Sequence, residues 1–124
     1  VFYLKMKGDY FRYIAEYING EEKQKSVEGA LDAYNRATEE ARELSKIHPI
    51  SLGLTLNLSV FYYEIMNNQE QAIRIAKDTL DSVNGELSNL DEDDDTNRDA
   101  VSIVNLLREN LEMWKIEVEE GGNN

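Results

Sequence analysis

The segment HPISLGLTLNLSVFYYEIMN, residues 48–67, decides the fold. Ile50, Leu52, Leu54, Leu56, Leu58 and Val60 alternate with small or polar residues, which is the template of a half-buried strand. The run does not stop there. Phe61, Tyr62, Ile65 and Met66 extend it to a length that fits a helix, from about Ile50 to Asn67. Such a helix is apolar on most sides, and is therefore expected to be central and buried.

Outward from this segment the periodicity is helical throughout. Pro49 closes a helix of about Glu21–Ile47, because the residue before a proline avoids helical geometry. Its stripe is Val27, Ala30, Tyr34, Ala37, Ala41 and Leu44. A first helix of about Val1–Ile18 carries Tyr3, Met6, Tyr10, Tyr13 and Tyr17 at steps of three and four, and Asn19-Gly20 ends it. A fourth of about Gln69–Leu90 carries Ile73, Ala76, Leu80, Val83, Leu87 and Leu90. Asn84-Gly85 is a blemish within it, since glycine costs roughly 1 kcal/mol against alanine in a helix interior. A fifth of about Asn97–Glu119 carries Val104, Leu107, Leu111, Trp114 and Val118. Asp91-Glu92-Asp93-Asp94-Asp95 reads as a solvated loop, because adjacent like charges repel. Calcium would need alternating ligands, a glycine and a distal glutamate, and that pattern is absent. The expectation is an all-α antiparallel array of five helices over residues 1–118, with a disordered acidic tail from 119 to 124.

The composition bounds the function. The chain has 124 residues and a formal net charge of -12, which suits one domain and argues against a nucleic-acid binder. No apolar run is long enough to cross a bilayer, so no membrane partner is expected. There is no cysteine, and a single histidine, His48, cannot build a multi-histidine metal site, so no metal and no cofactor are expected. No phosphate-cradling glycine loop, nucleophile elbow or paired-histidine zinc pattern is present, and an enzyme is not expected. His48 reads as a capping or packing residue at a helix junction. The chain opens without Met inside an amphipathic pattern, as a fragment of a longer protein would. Without a leader pattern or cysteine the expected location is cytoplasmic. Residues 1–62 carry 8 basic and 9 acidic side chains, against 5 and 16 in residues 63–124, so an anion site belongs in the first half.

Lys5, Asp9 and Arg12 are spaced four and three apart on the first helix and share a face, with Tyr13 one residue further round. A lysine, an arginine and a tyrosine hydroxyl could grip a phosphate, the arginine as a planar fork. From spacing alone, surface salt bridging through Asp9 is the stronger reading. Asn57, Val60 and Glu64 share a face on the third helix, as do Ile103, Leu106, Asn110, Trp114 and Glu117 on the fifth. Asparagine amides both donate and accept, which suits an extended peptide backbone. Local helix-face bonding explains them equally, and Trp114 taken alone reads as core.

The words themselves are then recognisable. VFYLKMKGDYFRY (1–13), HPI-LGL-LN-SVFYYEI (48–65 with gaps) and LLRENLEMW (106–114) resemble the 14-3-3 protein family, in order and over Val1 to about Trp114. The resemblance implies a nine-helix adaptor that pairs into cup-shaped dimers, each subunit holding a phosphoserine or phosphothreonine peptide in a groove. This chain matches the last five helices. The helices before them form the family's dimer interface and supply one further lysine and arginine of the phosphate pocket. Carried over by position, Arg12 and Tyr13 are implied phosphate ligands, with Lys5 a basic residue beside them. Asn57 and Asn110 are implied to hold the peptide main chain. Leu56, Val60, Ile103 and Leu106 are implied to form the apolar wall, and Glu64 and Trp114 a polar pair near the amino-terminal side of the bound residue.

There are departures from the family pattern. Ser102 stands where the groove wall has a leucine, Glu109 stands where an aspartate is usual, and the acidic loop is about two residues longer. The reading is a phosphopeptide-binding adaptor that clamps phosphorylated partner proteins in signalling. The alternatives are a helical module whose groove no longer reads phosphate, a repeat-like scaffold that binds unmodified helices, and, remotely, a hydrolase.

Overall fold

Residues 50–64 are helical, and the alternating leucines explain why a strand template also fitted them. In a helix, residues two apart point about 200° apart around the axis. In the computed structural model, which describes residues 1–17, 20–45, 47–87 and 94–122, Leu52, Leu54 and Leu56 accordingly enter three different apolar clusters. Leu54 joins Leu4, Ala30, Tyr34, Ala37 and Phe61. Leu56 and Val60 pack on Ala72, Ala76, Leu107, Leu111 and Trp114. Leu52 meets Val83, Ala100 and Val104.

The five helices are α1 (Phe2–Tyr17), α2 (Glu21–Ala41), α3 (Pro49–Glu64), α4 (Gln69–Leu87) and α5 (Asp95–Gly122), and no strand occurs among the described residues. The helix α3 touches all four others and is the central element expected from its apolar surround. The helices α1 and α5 do not touch each other, so α3 stands between them.

The helix ends follow from local chemistry. Gly20, at the entry to α2, has φ 75°, a value that residues with a side chain rarely adopt. The rest of the Asn19-Gly20 turn lies outside the described residues. α2 stops at Ala41, six residues before its expected end. The chain there tightens into i→i+3 turns, with the amides of Arg42, Glu43 and Leu44 bonded to the carbonyls of Glu39, Glu40 and Ala41. That winding keeps a spacing close to the helical one, so the pattern through Leu44 continued past the helix. His48 caps α3, its Nδ1 accepting from the Ile50 amide at 3.1 Å, and Pro49 takes the first helical position.

Asn67 closes α3 with φ 54°, and the Asn68 amide reaches the Tyr62 carbonyl at 2.8 Å, a left-handed cap. The Asn68 side chain then accepts from the Gln71 amide at 3.1 Å and starts α4. Asp94 does the same for α5 through the Thr96 amide at 2.8 Å, which brings the start two residues ahead of Asn97. Most of the acidic run 91–95 lies outside the described residues. α5 is helical to Gly122, past the expected end at Glu119 and into the stretch expected as a tail. Glu119 and Glu120 are good helix formers, and the first glycine comes only after them. No described helix is long and apolar enough to cross a membrane.

The stripe that marks α1 as a helix is not its buried face. Tyr3, Met6, Tyr10, Tyr13 and Tyr17, the stripe that marks the helix in the sequence, are all exposed. The buried face is Leu4, Gly8 and Ala15, with Phe11 packed beside them. Small residues let α1 approach α2 closely, so this face faces the core although its side chains carry less apolar weight.

Candidate functional site

Asp9 is the centre of the polar groups that the fold brings together. One turn earlier on α1, Lys5 Nζ lies 2.9 Å from its Oδ2. From α2, the Tyr34 hydroxyl donates to its Oδ1. From α3, the Asn57 amide nitrogen lies 3.1 Å from both carboxylate oxygens. The surface salt bridge expected from spacing is therefore the visible edge of a cluster that ties three helices. Tyr34 is fully buried, and burial first, then its bond to the Asp9 carboxylate, raises its phenol above the ordinary value. It is an O–H donor at every ordinary pH.

Arg12 sits on the same face of α1. Its Nε is buried and has no hydrogen-bond partner, and no carboxylate pairs with it among the described residues. Tyr13 beside it is 60% exposed, and its ring lies 4.9 Å from that of Tyr17. The candidate phosphate ligands thus differ in state. Lys5 is neutralised by Asp9, while Arg12 is a cation with a buried orphan donor, which is costly unless an acceptor arrives.

On α3, Leu56 and Val60 are partly buried against the α4–α5 cluster, and Asn57 is held toward α1. Glu64 is exposed at the end of the helix. On α5, Ile103 is partly buried, Leu106 is 49% exposed and Asn110 is half-buried. Trp114 is 2% exposed and stacks on Tyr63, with ring centroids 4.6 Å apart. It is a core residue here, and no hydrogen bond joins it to Glu64. The hydroxyl of Tyr63 instead donates to Glu117 at 2.5 Å. The helix α3 contacts both α1 and α5, and the Asn57–Asp9 bond links the candidates of α1 to those of α3. A separate cleft of about 430 Å³ between α2, α3 and α4, lined by Thr38, Ser51, Leu54, Asp78 and Val83 among others, contains none of them. No group of His, Asp or Glu suited to a metal occurs among the described residues.

The residues that sequence reasoning missed are Tyr34 as a donor and Asp9 as an acceptor across helices. Their partners lie 25 and 48 residues apart in the chain, beyond any helical spacing rule.

The all-helical array thus carries an arginine whose Nε lacks a partner, an exposed tyrosine and the Asn57 amide held by Asp9. The model of the 14-3-3 protein family matches residues 1–115. The chain is 50% identical to the 14-3-3-like protein GF14 omicron of Arabidopsis thaliana over 98% of its own length and 48% of that protein. It is 48% identical to 14-3-3 protein 7 of Solanum lycopersicum, and 46% identical to a 14-3-3-like protein of Nicotiana tabacum, with the same coverage. It belongs to the 14-3-3 family. The chain spans about half the length of the curated relatives it matches.

Proposed function

We propose that this chain carries the groove-bearing part of a cytoplasmic adaptor that binds phosphoserine or phosphothreonine peptides and so clamps phosphorylated partner proteins. The observation that carries the reading is Arg12, with a buried Nε that lacks an acceptor and a charge that lacks a carboxylate. A phosphorylated residue brings about -1.5 to -2 charges and three acceptor oxygens. Arg12 supplies charge-assisted bonds to it, Tyr13 adds a hydroxyl donor one residue on, and Lys5 adds positive potential moderated by Asp9. Asn57 and Asn110 hold the peptide main chain, and Leu56, Val60, Ile103 and Leu106 line the apolar side. Glu64 adds an exposed carboxylate at one end, and Trp114 acts from behind the wall as a packed support. Residues 1–118 form the binding portion. Pairing of subunits belongs to the family's other helices.

The test is titration of the chain with a fluorescent phosphoserine peptide and its unphosphorylated twin. The expected result is binding of the phosphorylated peptide alone, lost in Arg12→Ala. Equal binding of both peptides, unaffected by Arg12→Ala, would mean that the array is a scaffold that does not read phosphate.

A further inference from the structure

The carboxylate of Asp9 is saturated. Its Oδ1 accepts from the Tyr34 hydroxyl and its Oδ2 from Lys5, while the Asn57 amide nitrogen lies within bonding distance of both. A carboxylate has about four acceptor sites, so Asp9 has no capacity left for a ligand. What it does is fix its neighbour. An asparagine side chain can present either its oxygen or its nitrogen on a given side, and rotation about its last bond exchanges them. Beside a carboxylate only one arrangement is stable, with the amide nitrogen toward the anion and the carbonyl oxygen away. Oδ1 of Asn57 is thereby the group left to face a ligand.

We infer that Asp9 is the positioning residue that sets the polarity of the groove at Asn57, making it an acceptor that demands an N–H donor from the bound chain. Lys5 and Tyr34 hold Asp9 itself, Lys5 by balancing its charge and Tyr34 by anchoring it to α2. The specificity that follows is for backbone: a peptide residue without an N–H, such as proline, is rejected at the contact with Asn57. As far as a peptide is the ligand, this rests on the phosphopeptide reading. The orientation of the amide does not.

Two measurements test it. The first needs no ligand. Hydrogen exchange of the Asn57 side-chain amide is followed by NMR, its signal assigned by its loss in Asn57→Ala. Asp9→Asn keeps shape and an acceptor for Tyr34 but lets two amides pair either way round. Protection of the Asn57 amide should fall by roughly tenfold in Asp9→Asn and stay unchanged in Arg12→Ala. The second is phosphoserine-peptide titration in a double-mutant cycle. Asp9→Asn should weaken binding by about tenfold when Asn57 is present and by less than twofold in the Asn57→Ala background.

Equal weakening in both backgrounds would give Asp9 a general structural role and overturn the inference, as would unchanged protection of the amide. Should the chain not prefer the phosphorylated peptide, the adaptor reading falls and the exchange measurement alone decides the role of Asp9. Should Asp9→Asn fail to give a helical spectrum, Asp9→Glu, which keeps the charge but displaces it by one methylene, is read by the same two criteria.

Discussion

The ring of Tyr34 fills the space that a β-carbon at Gly8 would need. A β-carbon at Gly8 would stand 2.7 Å from Tyr34 Cε1 and 2.8 Å from Cδ1, inside any real van der Waals contact. The absence of a side chain at residue 8 makes room for a tyrosine of α2 against α1, so that its hydroxyl reaches the carboxylate of the next residue, Asp9. Packing of Gly8 and polarity of Asp9 are one arrangement.

Gly8→Ala is therefore expected to destabilise the chain despite the better helix propensity of alanine. Overpacking costs about 1–3 kcal/mol, and the helix gain of roughly 1 kcal/mol offsets only part of it. The matched control is Gly85→Ala on α4, where an added β-carbon meets nothing within 4 Å. No steric contact opposes the propensity gain there, and about 0.5–1 kcal/mol of stabilisation is expected. Urea unfolding of both variants checks the pair. Equal stabilisation by both would show that the Tyr34 ring moves aside freely.

These two glycines show where the sequence could be read and where it could not. α3 was legible because a long run apolar on every side has one stable place, in the middle of the array. α2, α4 and α5 were legible from their stripes, because Ala30, Tyr34, Ala37, Ala76, Val83, Leu107 and Trp114 are buried as their spacing requires. The face of α1 was not. Its tyrosines outweigh Gly8 and Ala15 in any count of apolar residues, yet close approach of two helices rewards the small side chains. The Asp9 cluster was half legible: Lys5, Asp9 and Arg12 share a face by spacing, but which residues of α2 and α3 meet that face depends on how the helices cross. Asn57 was singled out by its helix face and by the resemblance, and its bond to Asp9 appears only in three dimensions.

His48 gives a prediction about helix starts. Its Nδ1 accepts the Ile50 amide at 3.1 Å, the geometry of an N-cap, with Pro49 preset for the first helical turn. His48→Ala should cost about 1 kcal/mol, and His48→Asn should restore most of it, since asparagine is among the best N-caps. Thermal unfolding of the two variants is the measurement. Equal losses in both would mean that the imidazole serves by packing and not as an acceptor.

Tyr63 predicts a loss of stability at alkaline pH. Burial first, then its bond to Glu117, pushes its phenol up to about 12 from the ordinary 10.0. The folded chain therefore keeps a proton that the unfolded chain releases. Stability from this group is full below pH 10 and is lost as pH rises toward 12. Tyr34, raised further by burial and Asp9, acts in the same direction. The urea midpoint should fall from pH 10 upward, and the fall should be shallower in Tyr63→Phe. An identical slope in that variant would assign the alkaline loss to other groups.

The phosphate reading makes its sharpest prediction at Arg12 and Tyr13 taken together. Arg12→Lys keeps the charge but removes the planar fork and the buried Nε donor. If Arg12 grips phosphate through a fork, the lysine variant should lose most of the affinity lost by Arg12→Ala, on the order of 10- to 100-fold for one or two charge-assisted bonds. If it acts only as a positive charge, Arg12→Lys should bind almost as the parent does, with a stronger salt dependence. Tyr13→Phe separates a second contribution, because the exposed ring is retained and only the hydroxyl donor goes. A loss of about fivefold to tenfold is expected for that one bond. The unphosphorylated peptide should be insensitive to all three changes. A phosphoserine-peptide titration in which Arg12→Lys and Tyr13→Phe both bind like the parent, while Arg12→Ala alone is weakened, would reduce the site to an electrostatic patch. That result would also remove the reason for the buried Nε to stay unpaired, since a bare charge has no need of a directed donor.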